Sequence, residues 1–211
     1  MTESSEPTFF WVLTVQNHGG YEQNPEECDT VHIEGALDSE FIQKTNEFLT
    51  SIQMSDTALK YLIDYFSRID RPVVLCMTGD HCPGYMSRLS EEAGDLSMET
   101  AAKETPFIIW SNYLDLNSAE DKVFSINYLM PTVLEAAGIP LSEYYVQMLA
   151  LKKEVPVLTA SGYYIDSNEV IHSYSEPNLA NEEINIYHIL EYANIMKDEK
   201  FEDWFKPLNM K

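Results

Sequence analysis

Basic residues are scarce in this chain. Against 35 aspartates and glutamates stand only 13 lysines and arginines, which leaves a net charge of −22 over 211 residues. Nucleic-acid binding needs a basic footprint, so this deficit excludes a nucleic-acid partner. An anionic substrate would be repelled too, unless a metal or local arginines reversed the field. Cysteine is also rare: Cys28, Cys76 and Cys82 are the three, and no C-x-x-C pair occurs. Neither a zinc ribbon nor a disulfide framework is therefore suggested. No apolar run approaches the length of a membrane span, and the N-terminus lacks a signal-peptide pattern. A Gly-x-Ser-x-Gly elbow, a Walker loop and any serine or threonine in a recognisable nucleophile context are all missing.

What remains is a globular composition, with 45% hydrophobic and 12% aromatic residues, enough for one ordinary domain with a substantial core. Met1 to Pro7 reads as a polar lead-in or a cut inside a longer protein, and residues 8–211 read as one domain without a linker. The organising stretch is Pro72 to Gly84. Its apolar run, Val73 to Met77, reads as a strand buried on both faces of a parallel sheet. Gly79, Pro83 and Gly84 then break the chain around Asp80 and His81. In open α/β sheets the functional crevice lies outside the carboxyl ends of strands. An oxygen and a nitrogen ligand there could hold a divalent metal. The bland alternative is an Asp capping a turn beside an exposed His.

Earlier in the chain the same grammar appears. Thr8 to Val15 reads as a central strand, ending in Gln16-Asn17-His18-Gly19-Gly20-Tyr21. His18 is either a turn residue or, facing the Asp80-His81 end, a group that binds an anionic oxygen or the leaving group. Glu22 to Leu37 is an acidic loop. One helix is expected from about Ser39 to Ile52 and a second from an N-cap at Ser55, with Leu59, Leu62, Ile63, Phe66 and Ile69 at helical spacing. Strand, helix, strand makes a βαβ unit and a parallel pair.

Downstream, Ser87 to Glu104 reads as a surface excursion, and Thr105 to Asn112 as a third strand. A helix with Pro131 in its early part runs to a C-cap at Gly138. Ser142 caps another, which Pro156 ends. Tyr163-Tyr164-Ile165, the turn Asp166-Ser167-Asn168 and Val170-Ile171 form a small hairpin, and a last helix spans roughly Glu182 to Met196. The expected class is α/β, a mostly parallel sheet flanked by helices, with this hairpin and helix at the C-terminus. His32, His172 and His188 show no ligand spacing. Cys82 could be a soft ligand, but one thiol beside a hard Asp site reads as incidental, and Arg68, Arg71 and Arg88 read as solvated charges.

Four segments carry a family resemblance. Thr14 to Tyr21 resembles the T-x-x-N-H-G-P-Y segment of lipoteichoic acid synthases and related phosphoglycerol transferases, in the sulfatase branch of the alkaline phosphatase superfamily. Gly79 to Pro83 is similar to its G-D-H-x-P segment, Thr105 to Asn112 to T-P-F-x-I-W-S-N, and Pro131 to Ile139 to P-T-L-L-x-x-A-G-I. The resemblance implies the C-terminal half of an alkaline phosphatase/sulfatase-like fold. It implies that Asp80 and His81 are ligands of one catalytic divalent cation, manganese first, with magnesium, calcium or zinc as alternatives. His18 would contact the substrate's phosphate or glycerol.

The family's nucleophilic threonine and a further glutamate ligand belong to the N-terminal half, which no segment here matches, so no catalytic nucleophile is assigned. The implied partners are an anionic phospholipid or teichoic acid-type polymer and the missing N-terminal half. The implied location is the extracellular face of a membrane, within an anchored parent. Gly20, where the family carries proline, and Cys82, after the metal histidine, depart from the pattern. The competing expectations are a non-catalytic sulfatase-like module and a sulfuric ester hydrolase or phosphodiesterase of small substrates.

Overall fold

A computed structural model describes residues 6–21, 30–35, 38–86, 103–116, 123–160, 162–175, 180–197 and 199–208. The Cys28 and Arg88 readings lie outside these residues, as do most of the acidic loop after Tyr21 and of the Ser87–Glu104 excursion. The chain divides into two compact units, residues 1–71 with 78–106, and residues 72–77 with 107–211.

The first unit is built on one long helix, α1 (Ser39–Phe66). Asp38 is its N-cap, its Oδ1 accepting from the Phe41 N–H at 2.9 Å, which satisfies one of the orphan donors of the first turn. The two helices expected here are one. No proline or glycine interrupts the run around Ile52, and the Ser55 hydroxyl donates to Asn17 Oδ1 at 2.8 Å instead of capping a new start.

α1 buries polar side chains as much as apolar ones: Thr45, Glu47, Thr50, Ser51 and Leu59. The reason lies in what it faces. The irregular segment 30–33 hands its backbone donors to the helix, Thr30 and Val31 N–H to Thr50 Oγ1 at 3.2 Å each and Ile33 N–H to Asn46 Oδ1 at 2.7 Å. Buried backbone groups must be paired, and here helix side chains do it.

Thr8 to Val15 is a correction. It forms no strand, and Trp11 is 78% and Val12 76% exposed. An apolar run becomes a central strand only when neighbouring strands take its ladder hydrogen bonds, and among the described residues none pairs with it. The parallel βαβ unit expected from that strand is therefore not formed.

In the second unit, β1 (Val74–Thr78) pairs with β2 (Phe107–Ser111). β1 is half-buried and Cys76 exposed, so it is not enclosed on both faces as its apolar run suggested. Its end bonds run from Asn112 N–H to Val73 O at 3.2 Å and from Gly79 N–H to Pro106 O at 3.0 Å. Residue numbers rise on one strand as they fall on the other, the antiparallel sense.

Helices α2 (Leu129–Ala136) and α3 (Glu143–Glu154) follow. Gly138, at φ 68°, ends α2 in the left-handed conformation that glycine adopts without strain. The Ser142 hydroxyl accepts from Tyr145 N–H at 3.3 Å at the start of α3. A three-stranded antiparallel sheet, β3 (Val157–Leu158), β4 (Tyr163–Ile165) and β5 (Ile171–Ser173), contains the expected hairpin, with Tyr164 opposite His172. Helix α4 (Ala180–Met196) completes the unit.

Its core is Tyr128, Met148, Leu151, Val155, Tyr164, Ile184 and Tyr187. The Tyr128 hydroxyl donates to the Val155 carbonyl at 3.0 Å, so a fully buried phenol still has its partner.

Candidate metal and substrate site

Asp80, His81 and His18 all belong to the first unit. The Asp80-His81 loop leaves β1 through Gly79. A Cβ at Gly79 would stand 3.0 Å from Thr105 Cβ, so only glycine lets the two chain segments approach this closely. The Thr105 hydroxyl and the Cys82 thiol tie the loop down, donating to the carbonyls of Gly79 at 3.0 Å and Glu104 at 3.2 Å. Burial, with Glu104 adding to it, pushes the Cys82 thiol up from its usual range. A thiol held protonated is a poor ligand, which agrees with leaving Cys82 out of the donor set.

The pair itself is arranged like two edges of a coordination shell. Asp80 Oδ1 accepts the His81 backbone N–H at 2.9 Å. His81 Nδ1 faces the Cys82 carbonyl at 2.9 Å. A carbonyl can only accept, so in a neutral ring this contact puts the proton on Nδ1 and the lone pair on Nε2, as in many metal-binding histidines. Nε2 and Oδ2 lie 3.5 Å apart, and the two side chains are 73% and 79% exposed. Ligand bonds of roughly 2.0–2.2 Å place neighbouring donor atoms about 3–3.5 Å apart. The spacing and donor types fit one divalent cation in part. Among the described residues no third His, Cys, Asp or Glu joins them.

His18 sits in a turn closed by its N–H on the Val15 carbonyl at 3.1 Å, and its side chain is exposed. Gly20 has φ 112°, a backbone that proline, locked near −65°, cannot adopt. This turn therefore differs from one that a proline would hold.

Residues the sequence reading passed over connect the two loops. Tyr21, three after His18, packs edge-on against Tyr85, four after His81, with ring centroids 5.7 Å apart. Phe48 and Phe41 of α1 complete the cluster, at 5.6 Å from Tyr21 and 5.5 Å from Tyr85. Burial raises the pKa of both tyrosines, so both hydroxyls stay protonated donors, Tyr21 to the Asn17 carbonyl at 2.8 Å and Tyr85 to Thr45 Oγ1 at 3.3 Å. The available signal was a tyrosine shortly after each histidine.

The other histidines stay outside. His32 is exposed, and His188 packs beside Tyr174 and Tyr187. His172 lies in the hairpin, its Nε2 3.0 Å from Asp166 Oδ2 and its ring stacked on Tyr164. Arg71 donates to the Glu6 carbonyl.

Residues 1–139 match the Sulfatase family. The chain is 32% identical over 120 residues to a cyclic beta-1,2-glucan modification protein of Rhizobium meliloti (strain 1021), covering 52% of this chain and 19% of that protein. It is 35% identical over 78 residues to the capsular polysaccharide biosynthesis protein RkpI of the same organism, covering 37% and 12%. An uncharacterized protein of Haemophilus influenzae is 22% identical over 142 residues, covering 67% and 25%. The chain thus spans a quarter or less of these relatives' lengths. Among solved structures, the Streptococcus pyogenes phosphoglycerol transferase GacH, in complex with sn-glycerol-1-phosphate, shares the fold with a TM-score of 0.63. The identity is 16%, over 91% of this chain and 46% of that one. With well over half of its length matched, this chain is a member of the sulfatase family.

Proposed function

We propose that this chain is the C-terminal part of the catalytic domain of a metal-dependent phosphoglycerol transferase of the sulfatase type. Its parent would transfer glycerol phosphate from an anionic lipid to a cell-envelope polymer, at the outer face of a membrane to which it is anchored. The observation that carries this reading is the Asp80-His81 pair, whose exposed side chains bring Oδ2 and Nε2 to 3.5 Å of each other. The likeness in fold to a phosphoglycerol transferase supports the substrate class. The relatives named for glucan modification and capsular polysaccharide favour an envelope polymer over a small ester.

Asp80 and His81 would hold one divalent cation, manganese first, which when bound supplies charge neutralisation at the phosphate. With a net charge of −22, the chain cannot approach a phosphate on its own average field, so such local compensation is needed. His18, exposed at its turn, would bind a phosphate or glycerol oxygen or donate a proton to the leaving oxygen. The nucleophile, a threonine by family resemblance, and the remaining ligands would come from a segment N-terminal to these residues. A non-catalytic module is the second reading, favoured by the lack of a third ligand beside the pair among the described residues.

The test is transfer of labelled glycerol phosphate from phosphatidylglycerol by the longer protein. The proposal expects diacylglycerol release, lost in the His18→Ala variant. Release of sulfate or of small phosphodiester products alone, or no turnover with metal bound, would overturn it.

A further inference from the structure

We infer that Tyr21 and Tyr85 form a clasp that positions His18 relative to Asp80 and His81, so that the two loops serve one ligand; this deepens the site assignment proposed above and rests on it. The argument starts from how each loop is held. The His18 turn touches α1 through the Ser55 hydroxyl on Asn17 Oδ1 and the Gln16 amide on Met54 Sδ. The Asp80-His81 loop is tied to its own neighbours Thr105 and Glu104.

Neither set of bonds relates one loop to the other. Among the described residues, a contact that does is between rings, Tyr21 on Tyr85, and both rings rest on the same stretch of α1 through Phe41, Phe48 and Thr45. Edge-to-face aromatic pairs of this kind stabilise beyond area burial. Tyrosine also brings a hydroxyl that fixes its ring: Tyr21 to the Asn17 carbonyl, next to His18, and Tyr85 to Thr45. Loops carry function when a rigid support sets their geometry. Here the support is α1, and the tyrosines transmit it. Neither phenol reaches the donor atoms Oδ2 and Nε2 in any bond, so both are positioning residues.

The experiment uses the full 211-residue chain with Cys28 and Cys76 replaced by serine and a nitroxide on Cys82, next to His81. Broadening of the His18 imidazole signals by the nitroxide reports how near the two loops stay, and the His172 signals report the fold of the other unit. The parent chain should show strong His18 broadening. Tyr85→Leu and Tyr21→Leu should each reduce it several-fold with His172 unchanged, while Tyr85→Phe, which keeps the ring, should retain it. Equal His18 broadening in the leucine variants and the parent would overturn the clasp. If Tyr85→Leu does not fold, Tyr21→Leu and Tyr85→Phe decide in the same way. Mn²⁺ alone, added to the unlabelled chain, tests the metal assignment separately: broadening of His81 ahead of His32 and His172 supports it, equal broadening of all three would sink it, and either result leaves the clasp result standing.

Discussion

The two units bury different things. In the second, Tyr128, Met148, Leu151, Val155, Tyr164, Ile184 and Tyr187 form a contiguous apolar core. In the first, Leu59 is the one buried apolar side chain among the described residues, beside Thr45, Glu47, Thr50 and Ser51. The first unit also exposes Phe9, Trp11, Val12, Leu13 and Val15, and it buries Glu47 with Oε2 unpaired. An unpaired buried oxygen and an exposed apolar run are both costly. The unit that holds the candidate site is thus the less self-sufficient one.

The largest effect expected from this contrast is on the proposed transfer activity. His81→Ala removes a ligand outright, and since even outer-shell changes cost 10–100-fold, the loss should be at least about a hundredfold. The fold should stay intact, because the His81 side chain is 73% exposed; turnover and circular dichroism measured together check this.

The opposite pattern is expected for Tyr128→Ala. Removing a fully buried aromatic ring should destabilise the second unit by about 3–5 kcal/mol. Tyr128→Phe, which strips the hydroxyl from the Val155 carbonyl, should cost about 1–3 kcal/mol. Urea unfolding followed by tyrosine fluorescence would read both, and equal costs for the two would contradict the ring's role as core.

A smaller effect concerns pH. His172, then the backbone N–H groups of Val170 and Asn168, hold the Asp166 carboxyl down to about 2. A depressed acid contributes stability above its unfolded pKa, near 3.8, and that contribution is lost as pH falls through about 2. The hairpin should therefore loosen between those pH values in the wild type, and Asp166→Asn should flatten that part of the curve. Hydrogen exchange at Ile165 and Ile171 would show it.

The smallest effect belongs to Val12→Thr. At a side chain 76% exposed, the change should stay within about 0.5 kcal/mol in this chain. A larger loss by thermal melting would mean the segment is packed after all.

These differences also explain what could be read in advance. The second unit was legible because its signals are local: Pro131 early in a helix, Gly138 at positive φ, Ser142 as a cap, Asp166 and Asn168 in a turn. Asp80 and His81 were legible from the glycines around them. The first unit was less so, because its outcome depends on neighbours. Thr8 to Val15 has the composition of a central strand, but composition does not supply the adjacent strand. Ser55 looks like a cap, and its hydroxyl instead bonds Asn17, 38 positions away. The Tyr21–Tyr85 contact spans two loops and a helix, so no local pattern announces it.

The central claim is that Asp80 and His81 hold a catalytic divalent cation together with residues outside this stretch. The most direct test is the metal content of the purified longer protein, measured by elemental analysis for the wild type, Asp80→Ala and His81→Ala. The account predicts close to one manganese or similar ion per wild-type molecule and a large loss in both variants, with phosphoglycerol transfer lost in step. Full metal content and full activity in Asp80→Ala would contradict it.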